Sequence, residues 1–171
     1  YQQYQIQNKE SIFLQSLKKP KKEYSWEDVY ININKLSEEI SKHIKKGDRC
    51  LLVSENRPEW MISDLSIMLS GGITVPAYTT YTERDYEYII DDCTPTIIII
   101  SQKVQYEKIK NIIPKKDFIK KIIFFEDIEN NNKELSLKID NIFKKDNYNN
   151  QNFLNLKIQR KDIACIIYTS G

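Results

Sequence analysis

The sequence has only one histidine and three cysteines among its 171 residues. Cys50, Cys93 and Cys165 are odd in number and widely spaced, and they form no CxxC pair, so we expect neither a zinc site nor a disulfide framework. Such cysteine usage favours a reducing, intracellular setting. His43 has no second imidazole and no nucleophile near it in the sequence. We therefore expect it at the surface or at the edge of the core rather than in catalysis.

Long apolar runs and a large charge of one sign are lacking as well. No stretch of about 18 apolar residues occurs, so no membrane-spanning helix is predicted, and residues 1–10 lack the apolar segment of a secretory signal. The formal net charge of +2 argues against binding nucleic acid by bulk electrostatics. We expect the basic run at residues 18–22 to be a solvated linker, with contact to an anionic lipid surface as the alternative. The predicted location is cytoplasmic or peripheral on a membrane.

What the sequence does contain is a regular alternation of helix and strand patterns. A first helix is predicted from Ser25 and Asp28, which form a capping pair ahead of it, and from apolar residues at helical spacing, namely Val29, Ile33, Leu36, Ile40 and Ile44. Further strands are predicted at 50–54, 74–78, 96–101, 121–125 and 162–168. Further helices are predicted at 58–69, 82–92, 103–113 and 135–143, and Thr82 with Asp85 three residues later is expected to cap the helix at 82–92. This order predicts an α/β fold with a layered, mostly parallel sheet flanked by helices. In such sheets, ligands bind beyond the carboxyl ends of the strands.

The last predicted strand runs directly into residues 168–171, which read Tyr-Thr-Ser-Gly. Hydroxyl groups and backbone N–H groups can donate hydrogen bonds to phosphate oxygens, and glycine lets the backbone approach a ligand closely. A phosphate-binding loop is therefore one interpretation of these residues. Taken alone, four residues favour the other interpretation, an ordinary turn at the end of a strand.

Other segments bear on that choice because they match one known family in the right order. Residues 24–29 read Y-S-W-E-D-V, residues 47–49 read G-D-R, residues 54–60 read S-E-N-R-P-E-W and residues 88–93 read Y-I-I-D-D-C. Together with Y-T-S-G at 168–171, they resemble the long-chain fatty-acid–CoA ligase (acyl-CoA synthetase) branch of the adenylate-forming, or AMP-binding, superfamily. In that family Y-T-S-G precedes T-T-G-x-P-K-G. For the most specific segment we expect a structural role, with an ion pair between Arg57 and Glu59.

The resemblance implies an architecture and an activity. Residues 1–23 would be a polar extension, and residues 24–171 would be an incomplete N-terminal AMP-binding domain that stops inside the phosphate loop. The complete enzyme would use ATP with Mg to convert a fatty acid to acyl-AMP, and would then use coenzyme A to form the thioester. Fatty acid, ATP and CoA are thus the expected partners, with no nucleic acid, and the oligomeric state is not indicated.

The resemblance assigns few site residues to this chain. Thr169, Ser170 and Gly171 would contact the nucleotide, with the Thr169 hydroxyl nearest the metal, whereas Tyr168 is expected to pack rather than react. No catalytic residue is expected within 1–171, so the chain by itself should have no ligase activity. Two alternatives stay open, namely another adenylating enzyme that acts on aryl, medium-chain or amino acids, and a non-catalytic α/β interaction module.

Overall fold

The polypeptide is built on a five-stranded parallel sheet with helices on both faces. The computed structural model describes residues 2–17, 19–130, 133–148 and 158–169. In chain order the elements are α1 (Gln2–Ile6), β1 (Ile12–Gln15), β2 (Glu23–Ser25), α2 (Trp26–Ser41), β3 (Arg49–Val53), α3 (Pro58–Leu69), β4 (Ile73–Ala77), α4 (Glu83–Cys93), β5 (Ile97–Ile100), α5 (Lys103–Ile109), a 3₁₀ turn (Ile113–Lys115), β6 (Lys121–Phe124), β7 (Ser136–Lys138) and α6 (Ile139–Phe143).

The sheet order is β4-β3-β5-β6-β7, and every neighbouring pair is parallel. The chain moves from β3 to β4 in one direction and then returns to place β5 on the other side of β3. The strand order therefore reverses next to β3, which creates a switch point of the kind where α/β proteins bind ligands. These observations confirm the predicted α/β fold with a mostly parallel sheet. Among the described residues, none of the helices is both long and apolar enough to cross a bilayer.

Strand β5 lies at the centre of the sheet, and its burial accounts for the continuous apolar run in its sequence. Its four isoleucines are completely buried, because helices cover both faces of the sheet. Ile98 and Ile100 pack in the cluster that contains residues of α4 and α5, and Ile97 and Ile99 pack in the cluster on the other face, with residues of α2, α3 and α6. A continuous apolar run is thus the expected signature of this central strand.

The ends of the long helices follow from local chemistry. Ser25 caps α2 by accepting from the N–H of Asp28, whose carboxylate accepts from the Ser25 N–H in return. Thr82 and Asp85 form the same capping box on α4. Both caps agree with the predictions from the sequence. Helix α3 ends at Leu69 and is followed by Gly71, whose φ of 81° lies in the left-handed region that glycine tolerates.

The first 25 residues include an antiparallel hairpin, β1–β2, in addition to α1. Residues 19–22 of the basic run that was predicted to be a linker lie in the connection between the two strands of this hairpin. Lys22 donates to the buried Glu59 carboxylate at 2.8 Å, and Lys21 forms an ion pair with Glu23. A linker is therefore the wrong interpretation for the end of the run, because Lys22 has a partner on α3.

Two predicted helices differ from the structure. The helix predicted over 103–113 ends at Ile109, and Pro114 lies inside the following 3₁₀ turn. Pro114 has no N–H to donate to the carbonyl of Lys110, so the α-helical ladder cannot continue through it. The helix predicted over 135–143 begins only at Ile139, because the preceding residues form β7 and pair with β6. Edge pairing of three residues left too weak a pattern in the sequence to be recognised.

Candidate functional site

The segment around Cys165 lies beside the edge strand β4 and runs parallel to it. The Thr74 N–H donates to the Ala164 carbonyl at 3.1 Å, and the Ile166 N–H donates to the Thr74 carbonyl at 2.9 Å. From the Thr74–Cys165 bridge the segment runs in the direction of β4, toward the carboxyl edge of the sheet. Thr169, the last described residue, is exposed.

The strand predicted over 162–168 is wrong as a continuous element, because only Cys165 forms a bridge. Ile163 and Ile167 are 61% and 62% exposed, whereas Ile166 and Tyr168 pack against the core on one face of the sheet. One side of the segment thus makes apolar contacts and the other makes few. Its direction is still the one predicted, since the bridge is parallel.

Tyr168 is the residue that ties the end of this segment to the rest of the domain. Its hydroxyl donates to the Asp92 carboxylate at 2.5 Å, and its ring meets the Tyr88 ring edge to face, with centroids 6.2 Å apart. The Tyr81 hydroxyl donates to the Tyr168 carbonyl at 3.4 Å. Partial burial and the Asp92 carboxylate raise the pKa of the Tyr168 phenol. The phenol is therefore neutral at physiological pH, as its role as a hydrogen-bond donor requires.

The loop after β4 is held by side chains from two helices. Lys108 of α5 donates to the carbonyls of Thr79 at 3.1 Å and Tyr81 at 2.7 Å. The Tyr86 hydroxyl of α4 donates to the Tyr78 carbonyl at 2.7 Å. These bonds fix the loop whose Tyr81 hydroxyl donates to the Tyr168 carbonyl. The residue that precedes the exposed Thr169 is thus bonded to a well-supported loop.

The switch point next to β3 holds a second polar cluster, centred on Glu55. Its carboxylate accepts from Ser101 Oγ at 2.6 Å and Gln102 Nε2 at 3.1 Å, both from the end of β5. Arg57 Nη1 lies 3.4 Å from Glu55 Oε1, and Arg57 Nε donates to Glu59 at 2.9 Å. The predicted pair of Arg57 and Glu59 is confirmed. Because these groups bond to one another, the cluster connects the strand ends.

Glu59 is the most buried charge of this cluster. Burial opposes its ionisation, but hydrogen bonds from Arg57 and Lys22 outweigh that cost and lower the pKa of the Glu59 carboxyl to about 2. The Tyr24 hydroxyl also donates to it, at 3.2 Å. A carboxylate so fully paired is ionised at every physiological pH and is unsuited to accepting or releasing a proton. Its contacts join the hairpin β1–β2 to α3.

The structure locates only part of the predicted nucleotide site. Thr169 is exposed, and Ser170 and Gly171 lie outside the described residues. Within residues 2–17, 19–130, 133–148 and 158–169, no group of three His, Cys, Asp or Glu side chains could hold a metal ion. His43 is 24% exposed and lies 3.5 Å from Glu39, which agrees with its predicted place at the edge of the core.

The residues that contact Tyr168 stand in no distinctive local pattern of the sequence. Asp92 is exposed at the end of α4, yet it binds a tyrosine 76 positions away. Tyr81 and Lys108 likewise act on backbone groups that are distant in sequence. No local pattern encodes such pairs. The packing of α4, α5 and the segment around Cys165 next to β4 brings them together.

Comparison with known proteins decides the family. The profile of the family described as AMP-binding enzyme matches residues 2–171. This chain belongs to the AMP-binding enzyme family. Among curated proteins, it is 29% identical over 154 residues to long chain acyl-CoA synthetase 4 of Arabidopsis thaliana, covering 86% of this chain and 23% of that protein. It is 24% identical over 113 residues to long-chain-fatty-acid–CoA ligase ACSBG1 of Rattus norvegicus, covering 63% of this chain and 16% of that protein.

The fold of this family member is also found in solved structures. Coronafacic acid ligase from Pectobacterium brasiliense superposes with a TM-score of 0.78 at 16% sequence identity, covering 98% of this chain and 32% of that one. Such low identity shows a shared fold. The chain spans less than a quarter of the length of the two curated relatives named above.

Proposed function

We propose that the protein containing this chain is a long-chain fatty-acid–CoA ligase. It would activate a fatty carboxylate with ATP, forming acyl-AMP and pyrophosphate, and then transfer the acyl group to the thiol of coenzyme A with release of AMP. Family membership and the long-chain ligases among the relatives support this proposal. The observation that carries it to a site is the segment that runs parallel to β4 from the bridge at Cys165 and ends at the exposed Thr169.

The residues at the end of this segment fit a nucleotide's phosphates in their chemistry. The Thr169 hydroxyl and the backbone N–H groups that follow would donate to phosphate oxygens, and Ser170 and Gly171 would complete the loop. Mg²⁺, when bound, neutralises triphosphate charge, and the Thr169 hydroxyl is the group of this chain proposed to lie nearest to it. Acyl and CoA binding would use parts of the protein outside this chain. ATP and CoA as substrates favour an intracellular location, and peripheral membrane association stays a prediction.

The proposal is tested with the full-length protein by ATP–pyrophosphate exchange. Carboxylates from acetate to octadecanoate, together with benzoate and a set of amino acids, are compared, and thioester formation is followed after CoA is added. We expect exchange to be greatest with long-chain fatty acids and CoA to yield the acyl-CoA. Preference for benzoate, a short acid or an amino acid would instead indicate another adenylating enzyme. Absence of exchange with every acid would refute the proposal.

The assigned role of Thr169 is tested separately in the same assay. Thr169→Ala should raise the KM for ATP about tenfold, because one hydroxyl donor to an ionised phosphate is lost. Thr169→Ser keeps the hydroxyl and serves as the matched control, with a KM for ATP near that of the wild type. Equal ATP KM values for the wild type and the alanine variant would show that Thr169 does not contact the nucleotide.

A further inference from the structure

We propose that the contact between Asp92 and Tyr168 orients the peptide that precedes Thr169, so that both are positioning residues for ATP binding. The inference rests on the proposed function and extends it to α4. It adds residues that touch neither the nucleotide nor the acyl group. The supporting observations are the sparse support of residues 163–169 and the two contacts that converge on Tyr168.

Backbone pairing holds the segment only at its beginning. The hydrogen bonds to β4 are those of Thr74 with Ala164 and Ile166. Ile166 packs against the core, Ile167 is 62% exposed, and Tyr168 bonds to Asp92. The direction in which the chain leaves toward Thr169 therefore depends on how Tyr168 is held.

Tyr168 is held from two directions by elements that are themselves fixed. Its hydroxyl donates to Asp92 at the end of α4, and its ring packs edge to face on Tyr88. Its carbonyl accepts from the Tyr81 hydroxyl, and the Tyr81 backbone is bonded to Lys108. One contact holds the Tyr168 side chain and the other holds its main-chain carbonyl. Together they restrict rotation about the Tyr168 bonds that link the side chain to the carbonyl.

The planarity of the peptide bond carries this restraint to Thr169. The Tyr168 carbonyl and the Thr169 N–H belong to one peptide plane and point in opposite directions in a trans peptide. With the carbonyl directed at the Tyr81 hydroxyl, the Thr169 N–H points away from the loop after β4. Fixing Tyr168 thus sets the direction of the first backbone donor of the proposed phosphate loop.

Asp91 provides a matched comparison on the same helix. Adjacent residues on a helix point in different directions, and the Asp91 carboxylate pairs with Lys116 rather than with Tyr168. Removing Asp91 deletes one carboxylate from the same helix end and leaves the Tyr168 contact in place. A general effect of charge or helix stability would appear in both variants, whereas a positioning effect would appear only at Asp92.

The experiment uses the full-length protein and the variants Asp92→Ala, Asp92→Asn, Tyr168→Phe and Asp91→Ala. ATP–pyrophosphate exchange gives separate KM values for ATP and for the carboxylate, and hydrogen–deuterium exchange of residues 164–171 reports how firmly the segment is held. We expect Asp92→Ala and Tyr168→Phe to raise the KM for ATP about three- to tenfold, with the carboxylate KM unchanged and with faster deuterium uptake in this segment. Asp92→Asn keeps an acceptor oxygen, so its KM for ATP and its deuterium uptake should lie close to the wild-type values. Asp91→Ala should match the wild type.

Each other outcome has a definite meaning. An unchanged ATP KM in Asp92→Ala, or an equal rise in Asp91→Ala, would overturn the positioning role. Equal rises in the KM for ATP and for the carboxylate would reduce the contact to a general structural one and would also overturn it. If the wild-type protein shows no exchange activity, the proposed function fails. In that case deuterium uptake still tests whether the contact between Asp92 and Tyr168 holds the segment. Unchanged uptake in Asp92→Ala and Tyr168→Phe would rule that role out.

Discussion

Replacing Glu59 by glutamine is expected to destabilise the fold, because this carboxylate is the buried end of an ion-pair network. Its side chain is 2% exposed and accepts from Arg57 at 2.9 Å and from Lys22 at 2.8 Å. The Arg57 side chain is itself only 16% exposed. Glutamine has nearly the same shape but no charge, so the substitution removes the electrostatic part of these contacts and leaves Arg57 with only its longer contacts to Glu55 at 3.4 Å and Glu126 at 3.2 Å.

The lowered pKa of Glu59 gives the size of the expected loss in unfolding free energy. Burial opposes ionisation, but the donors from Arg57 and Lys22 lower the pKa from 4.5 to about 2. At about 1.4 kcal/mol per pH unit, this corresponds to roughly 3 kcal/mol of folding free energy. Because the folded pKa lies below the unfolded one, the stabilisation is complete above the unfolded pKa and is lost as the pH falls through the folded pKa. Glu59→Gln should therefore cost about 3 kcal/mol near pH 7 but only about 1.5 kcal/mol near pH 3.

Urea unfolding of the wild-type chain and the variant at both pH values measures this difference. Glu126→Gln is the matched control, because Glu126 contacts the same arginine at 3.2 Å but is 48% exposed. It should cost less than about 1 kcal/mol, as solvent screens exposed pairs. The reasoning is refuted if the Glu59 variant loses the same free energy at both pH values, or no more than the Glu126 variant.

Three further outcomes are expected. Ser25→Ala should lower the unfolding free energy by about 1 kcal/mol in chemical denaturation, because the α2 cap is lost, and an unchanged midpoint would contradict the role of the cap. Gly72→Ala should cost about 1–3 kcal/mol in the same assay, since a Cβ there would lie 2.9 Å from Ile44 Cδ1 and 3.3 Å from the Ile67 carbonyl oxygen. Residues 1–171 alone should produce no acyl-CoA from fatty acid, ATP and CoA in a thioester assay, and detectable product would prove this wrong.

The sequence predictions were accurate where the interactions join residues close in sequence and less accurate where they join distant segments. The buried isoleucines of β5 and the capping boxes at Ser25 and Thr82 depend on neighbouring residues, and the structure has them as predicted. The short strand β7 depends on pairing with β6, and it was mistaken for the start of a helix. Likewise the segment at 162–168 has a strand-like pattern, but whether it pairs along its whole length is set by what lies on either side.

The candidate site shows the same division. The hydroxyl-bearing residues after the last apolar segment could be recognised from the sequence, together with the family they resemble. Their surroundings could not, because Asp92 reaches Tyr168 across 76 positions and Lys108 reaches the backbone of Tyr81 across 27. Neither partner stands in a distinctive local pattern. Each becomes relevant only when β4 and α4 lie beside the terminal segment.

The sequence by itself determined the alternation of buried strands and capped helices, since hydrophobic periodicity and capping act between residues a few positions apart. Tertiary structure alone decided the strand order, the reversal next to β3 and the place of Cys165 beside Thr74. The physical reason is that parallel pairing joins strands distant along the chain, and the preference for one neighbour over another is a sum of packing contacts that no single segment contains.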